Sequence, residues 1–203
     1  MQRSRLHILA TTIACAATLT IAGCATAAIP GGTADPRTTA VSSDTSSRDS
    51  GEVAGVAVTG ADGYAERSLP IDEIADTPAV ANLVPELRSA VTHATEAARA
   101  DGVTVLINSG WRSARYQQAL LDQGIEEHGS LQAARRWVNT PERSTHVTGN
   151  AVDVGAWDAA AWMQEHGPEF GLCQTYANES WHYELSTEPG GECPAMLDDS
   201  SEG

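Results

Sequence analysis

Apolar side chains recur at intervals of three or four residues along one part of the chain, at Leu83, Leu87, Val91, Ala94 and Ala98. This spacing puts them on one side of an α-helix, so the pattern predicts a helix with one buried face over residues 83–100. Pro85 fits the first turn of such a helix, because its missing N–H would have no partner there. Gly102 marks its end.

Shorter patterns predict the remaining elements. A β-branched run at residues 103–107, bounded by glycines, indicates a buried strand. Residues 113–125 indicate a second helix, for which Ser113 is a suitable cap. The other predicted elements are short helices over 131–138 and 158–164 and strands over 53–58, 150–155, 172–176 and 181–185.

One of these strands alternates in a way that matters for chemistry. Ala151, Asp153 and Gly155 point to one side, while Val152 and Val154 point into the core. A carboxylate on a strand has its position fixed by the sheet. Because helices and strands occur without regular βαβ alternation, the sequence predicts an α+β fold, with a small, mostly antiparallel sheet and flanking helices.

The amino-terminal segment has the pattern of an export signal. Arg3 and Arg5 precede an apolar run over residues 6–22, as in a secretory signal peptide. The run ends in the tetrapeptide IAGC at Cys24, which resembles the bacterial lipobox, where the cysteine is lipidated. We therefore predict an exported lipoprotein, anchored to the outer face of the cell membrane. The alternatives are an ordinary signal cleaved near residues 25–27 and a transmembrane anchor, for which the run is short.

Composition then divides the chain into four parts. Residues 1–23 are the predicted lipoprotein signal peptide. Residues 24–65 contain the lipidated cysteine and a tether that is predicted to be disordered, because Thr, Ser, Ala, Asp, Gly and Pro leave little to bury. Residues 66–186 form the predicted folded domain, and residues 187–203 a flexible acidic tail.

The formal net charge of −15 limits the possible partners. All twelve basic residues are arginine, and an acidic surface repels the phosphate backbone of nucleic acids. Nucleic acid is therefore not expected as a partner. Much of this charge is explained by solubility alone.

Export also changes the interpretation of the cysteines. Once Cys15 is assigned to the signal and Cys24 to the lipid, Cys173 and Cys193 are the only pair left in the mature domain. Outside the cytoplasm, such a pair favours a disulfide. Two free thiols remain the alternative, because spacing alone does not show that the sulfurs meet. Neither cysteine lies in a short paired motif, so zinc ligation by cysteine is not expected.

Two imidazoles and two carboxylates lie within thirty-nine residues, at His146, Asp153, Glu179 and His182. A catalytic zinc takes three protein ligands of these types and keeps a fourth position for water, whose proton a further carboxylate can accept. We hypothesise that Glu179 is that base and that the other three bind one Zn²⁺. Its odd separation from His182 predicts that Glu179 lies in a turn or on a bulge before the strand. Alone, either histidine would be equally compatible with a structural role.

Three motifs carry a resemblance to a known family. Residues 144–153 fit the pattern S-x-H-x-x-G-x-A-x-D, residues 179–182 fit E-x-W-H, and residues 109–117 are similar to S-G-Y-R-S-x-x-x-Q. Over roughly residues 80–186 the chain resembles the zinc D-alanyl-D-alanine carboxypeptidases of the vancomycin-resistance type (VanY-like). The resemblance implies a hedgehog/D-Ala-D-Ala peptidase-like fold, one catalytic zinc and a peptidoglycan stem peptide ending in D-Ala as substrate.

The resemblance also implies a role for each matching residue. The implied zinc ligands are His146, Asp153 and His182. Glu179 is the implied general base, and Arg112 is placed over the scissile carbonyl, where a guanidinium stabilises the developing oxyanion. The alternative for Arg112 is a helix cap or a surface ion pair. The implied substrate contacts are Ser144, Gln117, Ser109 and Trp181, with a turn serine and a helix-surface glutamine as the competing interpretations of the first two.

Trp111 stands where the family pattern has tyrosine, so the phenolic hydroxyl is missing. Within the enzyme class, L,D-carboxypeptidases and stem-peptide endopeptidases share this scaffold, and the sequence leaves the choice open. From another class, a zinc-stabilised wall-binding module without turnover is the alternative. The presence of Glu179 and Arg112 argues against that alternative, because a structural zinc site needs neither.

Overall fold

The computed structural model describes residues 49–203. The predicted signal peptide, the predicted lipidation site Cys24 and most of the predicted tether lie outside the described residues. Within the described part of the chain, no helix has the length and apolarity to cross a bilayer.

The first ordered element is a β-hairpin in the segment that was assigned to the tether. Strands β1 (Ser50–Val53) and β2 (Val56–Thr59) pair antiparallel. The single strand predicted over 53–58 is therefore wrong, because a turn with positive φ at Ala54 and Gly55 reverses the chain inside it. The hairpin is ordered by burial of Val53 and Val58 in a small cluster with Ala119, so the disordered tether cannot extend to residue 65.

Five α-helices follow in the described part: α1 (Pro78–Ala81), α2 (Pro85–Ala100), α3 (Ala114–His128), α4 (Leu131–Ala134) and α5 (Trp157–His166). The predicted buried face of α2 is confirmed, since its side chains at positions 87, 91, 94 and 98 are inaccessible to solvent. Ser113 caps α3 by accepting a hydrogen bond from the Tyr116 N–H. This helix runs past Gly124 to a left-handed Gly129, so its predicted end at residue 125 is three residues short.

The helix predicted over residues 131–138 is shorter than the pattern indicated. Helix α4 ends at Ala134 instead of continuing to residue 138. The carbonyl of Arg135 accepts a hydrogen bond from Ser200, and that of Arg136 accepts one from Asn178. Because these two carbonyls accept hydrogen bonds from distant parts of the chain, the helix does not continue through them.

A four-stranded antiparallel sheet in the order β3-β4-β6-β5 carries the rest of the fold. Its strands are β3 (Leu106–Ser109), β4 (Ala151–Gly155), β5 (Leu172–Gln174) and β6 (His182–Leu185). Strand β3 begins three residues later than predicted. The α+β class, with a small antiparallel sheet and flanking helices, is confirmed.

Strand β4 is one of the two inner strands of the sheet. Val152 and Val154 face the main core together with Leu87 and Val91 of α2. All five residues of β4 are buried, so the side that carries Asp153 is covered as well. A carboxylate at this position is held by strands on both sides and shielded from solvent.

The carboxy-terminal tail is ordered, which corrects the expectation of a flexible segment over 187–203. A disulfide joins Cys173 of β5 to Cys193. Leu197 pairs with the backbone beside Tyr176, and Asp199 and Ser200 are buried. Polar composition suggested flexibility, but these side chains have partners far away in the sequence.

Candidate metal centre and substrate pocket

The sheet brings together the three residues predicted to bind metal. Asp153 of β4 lies directly opposite His182 of β6 in the strand register. His146 comes from the turn that leads into β4. One donor atom from each of the three residues lies within 4.8 Å of the other two.

Gly149 allows the turn that carries His146 to pack closely against the backbone at the start of α2. Its φ of +75° is in the left-handed region, and a Cβ there would lie 2.3 Å from the Asn82 carbonyl oxygen. Only glycine allows this close approach at low cost. The Gly149 carbonyl also accepts a hydrogen bond from Val84 N–H at 2.9 Å, which fixes the turn against the start of α2.

Two of the three distances between the donor atoms match those around a zinc ion. His146 Nε2 and His182 Nδ1 each lie 3.3 Å from Asp153 Oδ1. A tetrahedral ion with ligand bonds of about 2.0–2.1 Å has edges of about 3.3–3.4 Å. Two nitrogens and one carboxylate oxygen are also the donor types that catalytic zinc sites use. The residues present therefore fit such an ion, with room for a fourth ligand from the pocket.

Hydrogen bonds on the far side of each imidazole fix the ring orientation. His146 Nδ1 donates to the Gly110 carbonyl at 2.8 Å, which turns Nε2 toward Asp153. His182 Nε2 donates to Glu184 Oε1 at 2.9 Å, and Thr145 Oγ1 donates to the same oxygen at 3.0 Å. Such partners orient metal ligands and raise their basicity.

Sequence reasoning missed Glu184. The signal was available, because Glu184 lies two residues after His182 on the same strand and so points to the same side of the sheet. Its pKa is lowered: burial acts to raise it, but the hydrogen bond and the charge of His182 outweigh burial. Glu184 therefore stays ionised beside the imidazole.

The buried charges at the centre shift one another's ionisation. For Asp153, burial alone would raise the pKa, but His146 and Arg112 hold it well below its usual range. Burial, with help from Arg112, lowers the pKa of His146. For His182, burial favours the neutral form, but Asp153 and Glu184 raise its pKa to about 9. The centre thus holds an ionised aspartate facing two rings of different basicity.

Glu179 lies in the turn before β6, as its odd separation from His182 predicted. The His182 N–H donates to the Glu179 carbonyl at 3.2 Å, and the Glu179 Oε2 atom lies 3.9 Å from His182 Nδ1. The other carboxyl oxygen has no hydrogen-bond partner among the described residues. Burial raises the pKa of Glu179 to about 7, so this carboxyl group accepts a proton more readily than an exposed glutamate does.

Arg112 is held by three side chains. Its Nε donates to Ser109 Oγ at 2.7 Å, Nη1 to Gln117 Oε1 at 3.2 Å and Nη2 to Asp153 Oδ2 at 2.5 Å. Gln117 in turn donates to the Asn139 carbonyl at 2.9 Å. Ser109 and Gln117, which the resemblance implied as substrate contacts, thus have the arginine as their partner in this structure.

The remaining predicted residues line a cavity of about 150 Å³ beside the metal cluster. Ser144 is buried on its wall, whereas the Trp181 ring is 38% exposed. Glu179, Arg112 and Ser200 also line it. Trp111, the departure from the family pattern, packs against the main core.

A buried His-Asp-His cluster, an unpartnered carboxyl oxygen and a fixed guanidinium around one pocket define a candidate metal-dependent hydrolase site. Comparison with known proteins agrees with this class. Residues 81–189 match the VanY family, described as D-alanyl-D-alanine carboxypeptidase. The match covers more than half of the chain, which therefore belongs to this family of peptidases.

Individual relatives share parts of the chain. A D-alanyl-D-alanine carboxypeptidase of Enterococcus faecalis is 34% identical in a match that covers 43% of this chain and 42% of that protein. The chain thus matches less than half the length of this curated relative.

Two solved structures are also similar. One is a mutant of the vancomycin-resistance D,D-pentapeptidase VanY from a VanB-type cassette in complex with Zn(II), with 28% identity, a TM-score of 0.48 and coverage of 50% of this chain and 71% of that one. The other is VanYB in complex with D-alanine-D-alanine, with 26% identity, a TM-score of 0.49 and coverage of 60% and 77%. The family assignment does not depend on these two matches.

Proposed function

We propose that this chain is a zinc-dependent D-alanyl-D-alanine carboxypeptidase that removes the terminal D-Ala from peptidoglycan stem peptides. The single observation that carries the proposal is the spacing of the metal cluster. His146 Nε2 and His182 Nδ1 both lie 3.3 Å from Asp153 Oδ1, as one tetrahedral ion requires, and Glu179 is buried beside them.

A zinc ion bound by these three residues supplies a Lewis acid and an activated water. Glu179 serves as the proton carrier, because its carboxyl group lines the pocket, with Oε2 3.9 Å from His182 Nδ1. It accepts a proton from the attacking water and returns it to the amine of the departing D-Ala. Burial of Glu179 keeps bulk water from competing for that proton.

Arg112 provides the positive charge in the pocket. Its guanidinium can stabilise the oxyanion that forms when the scissile carbonyl is attacked, or pair with a substrate carboxylate. The hydrogen bonds from Arg112 to Ser109 and Gln117 fix its planar group before substrate arrives. A fixed donor needs no reorganisation during the reaction, which makes its stabilisation of charge more effective.

We further propose that the enzyme works outside the cytoplasm, anchored to the outer face of the cell membrane by lipid on Cys24. Support comes from the signal-like segment and IAGC tetrapeptide in the sequence. The disulfide between Cys173 and Cys193 agrees with an oxidising compartment. Metabolic labelling with a fatty acid, compared between the parent and Cys24→Ala, tests this: label that persists in the variant contradicts it.

The catalytic proposal is tested with Glu179→Gln, which keeps the size of the side chain but removes its proton-accepting charge. We expect the variant to bind zinc as the parent does and to release D-Ala from a pentapeptide muropeptide about 10²- to 10⁴-fold more slowly. The exposed Glu169→Gln is the matched control, expected to behave as the parent.

Product masses from pentapeptide and tetrapeptide muropeptides identify the bond that is cut. Loss of the terminal residue from the pentapeptide supports the D,D-carboxypeptidase, whereas trimming of the tetrapeptide indicates L,D-activity and internal cleavage indicates an endopeptidase. Unchanged release by Glu179→Gln contradicts the proposed base. A parent protein that binds zinc and releases nothing would be a wall-binding module.

A further inference from the structure

The carboxy-terminal tail beyond residue 189 lies outside the residues matched by the family, yet three separate attachments hold it beside the pocket. The disulfide to Cys193 is the first. The second is backbone pairing, in which Leu197 N–H donates to the Thr175 carbonyl at 2.9 Å and the Ala177 N–H donates to the Leu197 carbonyl at 2.8 Å. The third is an ion pair between Asp199 Oδ2 and Arg136 Nε at 2.7 Å.

These attachments place Ser200 in the wall of the pocket. Ser200 is buried and lines the same cavity as Glu179 and Arg112. Its hydroxyl donates to the Arg135 carbonyl at 2.9 Å, and its own carbonyl accepts from Asn139 Nδ2 at 2.9 Å. Ser200 is therefore held in place by its backbone as well as by its side chain.

The same wall is connected to the positive charge of the site. The Asn139 carbonyl accepts from Gln117, and Gln117 accepts from Arg112. A substrate carboxylate that pairs with the Arg112 guanidinium would therefore lie on the side of the pocket where Gln117, Asn139 and Ser200 are hydrogen-bonded to one another.

On the side of Trp181, the cavity is next to a second groove. Trp181 lines both this cavity and a neighbouring groove of about 230 Å³, which also includes Asn108 and the exposed Trp157. A peptide that extends past Trp181 finds this groove, whereas a peptide that extends past Ser200 meets the anchored tail. The pocket is therefore open on the side of Trp181 and closed on the side of Ser200.

We propose that Ser200, held in place by the anchored Asp199, is a specificity-determining wall that closes the leaving-group side of the pocket. With this wall in place, a peptide ending in a free D-Ala carboxylate fits beside Arg112, and a peptide that continues beyond that residue is rejected. The proposal rests on the proposed carboxypeptidase function and adds the element that makes the site act on chain ends.

The test uses the full-length zinc-loaded protein and two ligands, D-Ala-D-Ala and the extended D-Ala-D-Ala-Gly. Binding is followed with Glu179→Gln present in every protein, so that cleavage of the ligand is slow, by the change in tryptophan fluorescence, because Trp137 and Trp181 line the pocket. D-Ala release from end-free and extended muropeptides, with Glu179 intact, is followed by mass. The ratio of the two binding constants measures discrimination without requiring turnover.

Asp199→Ala removes the ion pair with Arg136 and loosens the wall, so we expect the preference for the end-free ligand to fall by about tenfold. Asp198→Ala, an exposed neighbour, is the matched control and should keep the parent ratio. A parent ratio near one, or an unchanged ratio in folded Asp199→Ala, overturns the proposal.

Ser200→Phe is the second variant and acts by filling the wall instead of loosening it. It should weaken binding of D-Ala-D-Ala by about tenfold, while Asp198→Phe should not. Parent-like binding by Ser200→Phe also overturns the proposal, and this holds even if Asp199→Ala fails to fold. If binding shows the expected preference but no peptide is cut, the proposed role of Ser200 is supported and the proposed catalytic function is wrong.

Discussion

Removing the carboxylate of Glu184 tests how the imidazole of His182, a proposed zinc ligand, is held. Glu184 Oε1 accepts from His182 Nε2 at 2.9 Å and also from Thr145 Oγ1 at 3.0 Å. In Glu184→Ala the ring loses the acceptor that fixes its orientation and increases the basicity of the opposite nitrogen. Zinc should then bind more weakly although all three proposed ligands remain.

Loss of a partner behind a metal ligand weakens metal binding by about 10- to 100-fold, or about 1.4–2.7 kcal/mol. Competition with a chromophoric zinc chelator measures this change directly. Glu184→Gln keeps an acceptor oxygen facing the ring, so we expect a smaller loss than in the alanine variant. The exposed Glu188→Ala is the control for removing a nearby negative charge.

The result that would refute this reasoning is a zinc dissociation constant in Glu184→Ala equal to that of the parent, with the fold intact by circular dichroism. A loss of equal size in Glu188→Ala would also contradict it, because the effect would then arise from general charge. The order expected is parent and Glu188→Ala tightest, Glu184→Gln next and Glu184→Ala weakest.

Three further outcomes follow from other contacts. Arg112→Lys keeps the charge but loses the forked donors to Ser109 and Asp153; we expect kcat for D-Ala release to fall about 100-fold with zinc content unchanged, and parent-like kcat would contradict the role. Replacing both Cys173 and Cys193 by serine should lower the free energy of unfolding by about 3 kcal/mol, because the bridge closes a 20-residue separation; a denaturant titration that coincides with the parent's would contradict this. Gly149→Ala should lower it by more than Gly55→Ala, since both have a φ of +75° but only the first would place a Cβ 2.3 Å from a carbonyl oxygen; equal losses would show that crowding at residue 149 is unimportant.

Local patterns predicted the parts of the fold that depend on local physics. Helix α2 has a long run of apolar residues at helical spacing, and its buried face followed from that spacing alone. Ser113 was recognised as a helix cap from its place before α3. The end of α4 could not be predicted in this way, because the groups that bind its following carbonyls come from Asn178 and Ser200.

In the candidate site, too, the sequence predicted some features and left those that depend on distant contacts unpredicted. The spacing of His146, Asp153 and His182 suggested a metal cluster, and the structure brings their donor atoms together. The partners of Gln117 and Ser109 could not be predicted, since a motif does not say whether a polar side chain contacts substrate or orients an arginine. The tail was missed because its polar composition resembles a linker, although Asp199 has a distant ionic partner.

The measurement that tests the central claim most directly is anomalous diffraction at the zinc edge from crystals of the zinc-loaded protein. We expect one strong peak with ligand bonds of about 2.0–2.2 Å to His146 Nε2, Asp153 Oδ1 and His182 Nδ1, and Glu179 next to it but unligated. A zinc peak away from these three atoms, or D-Ala release that persists in metal-free protein, would contradict it.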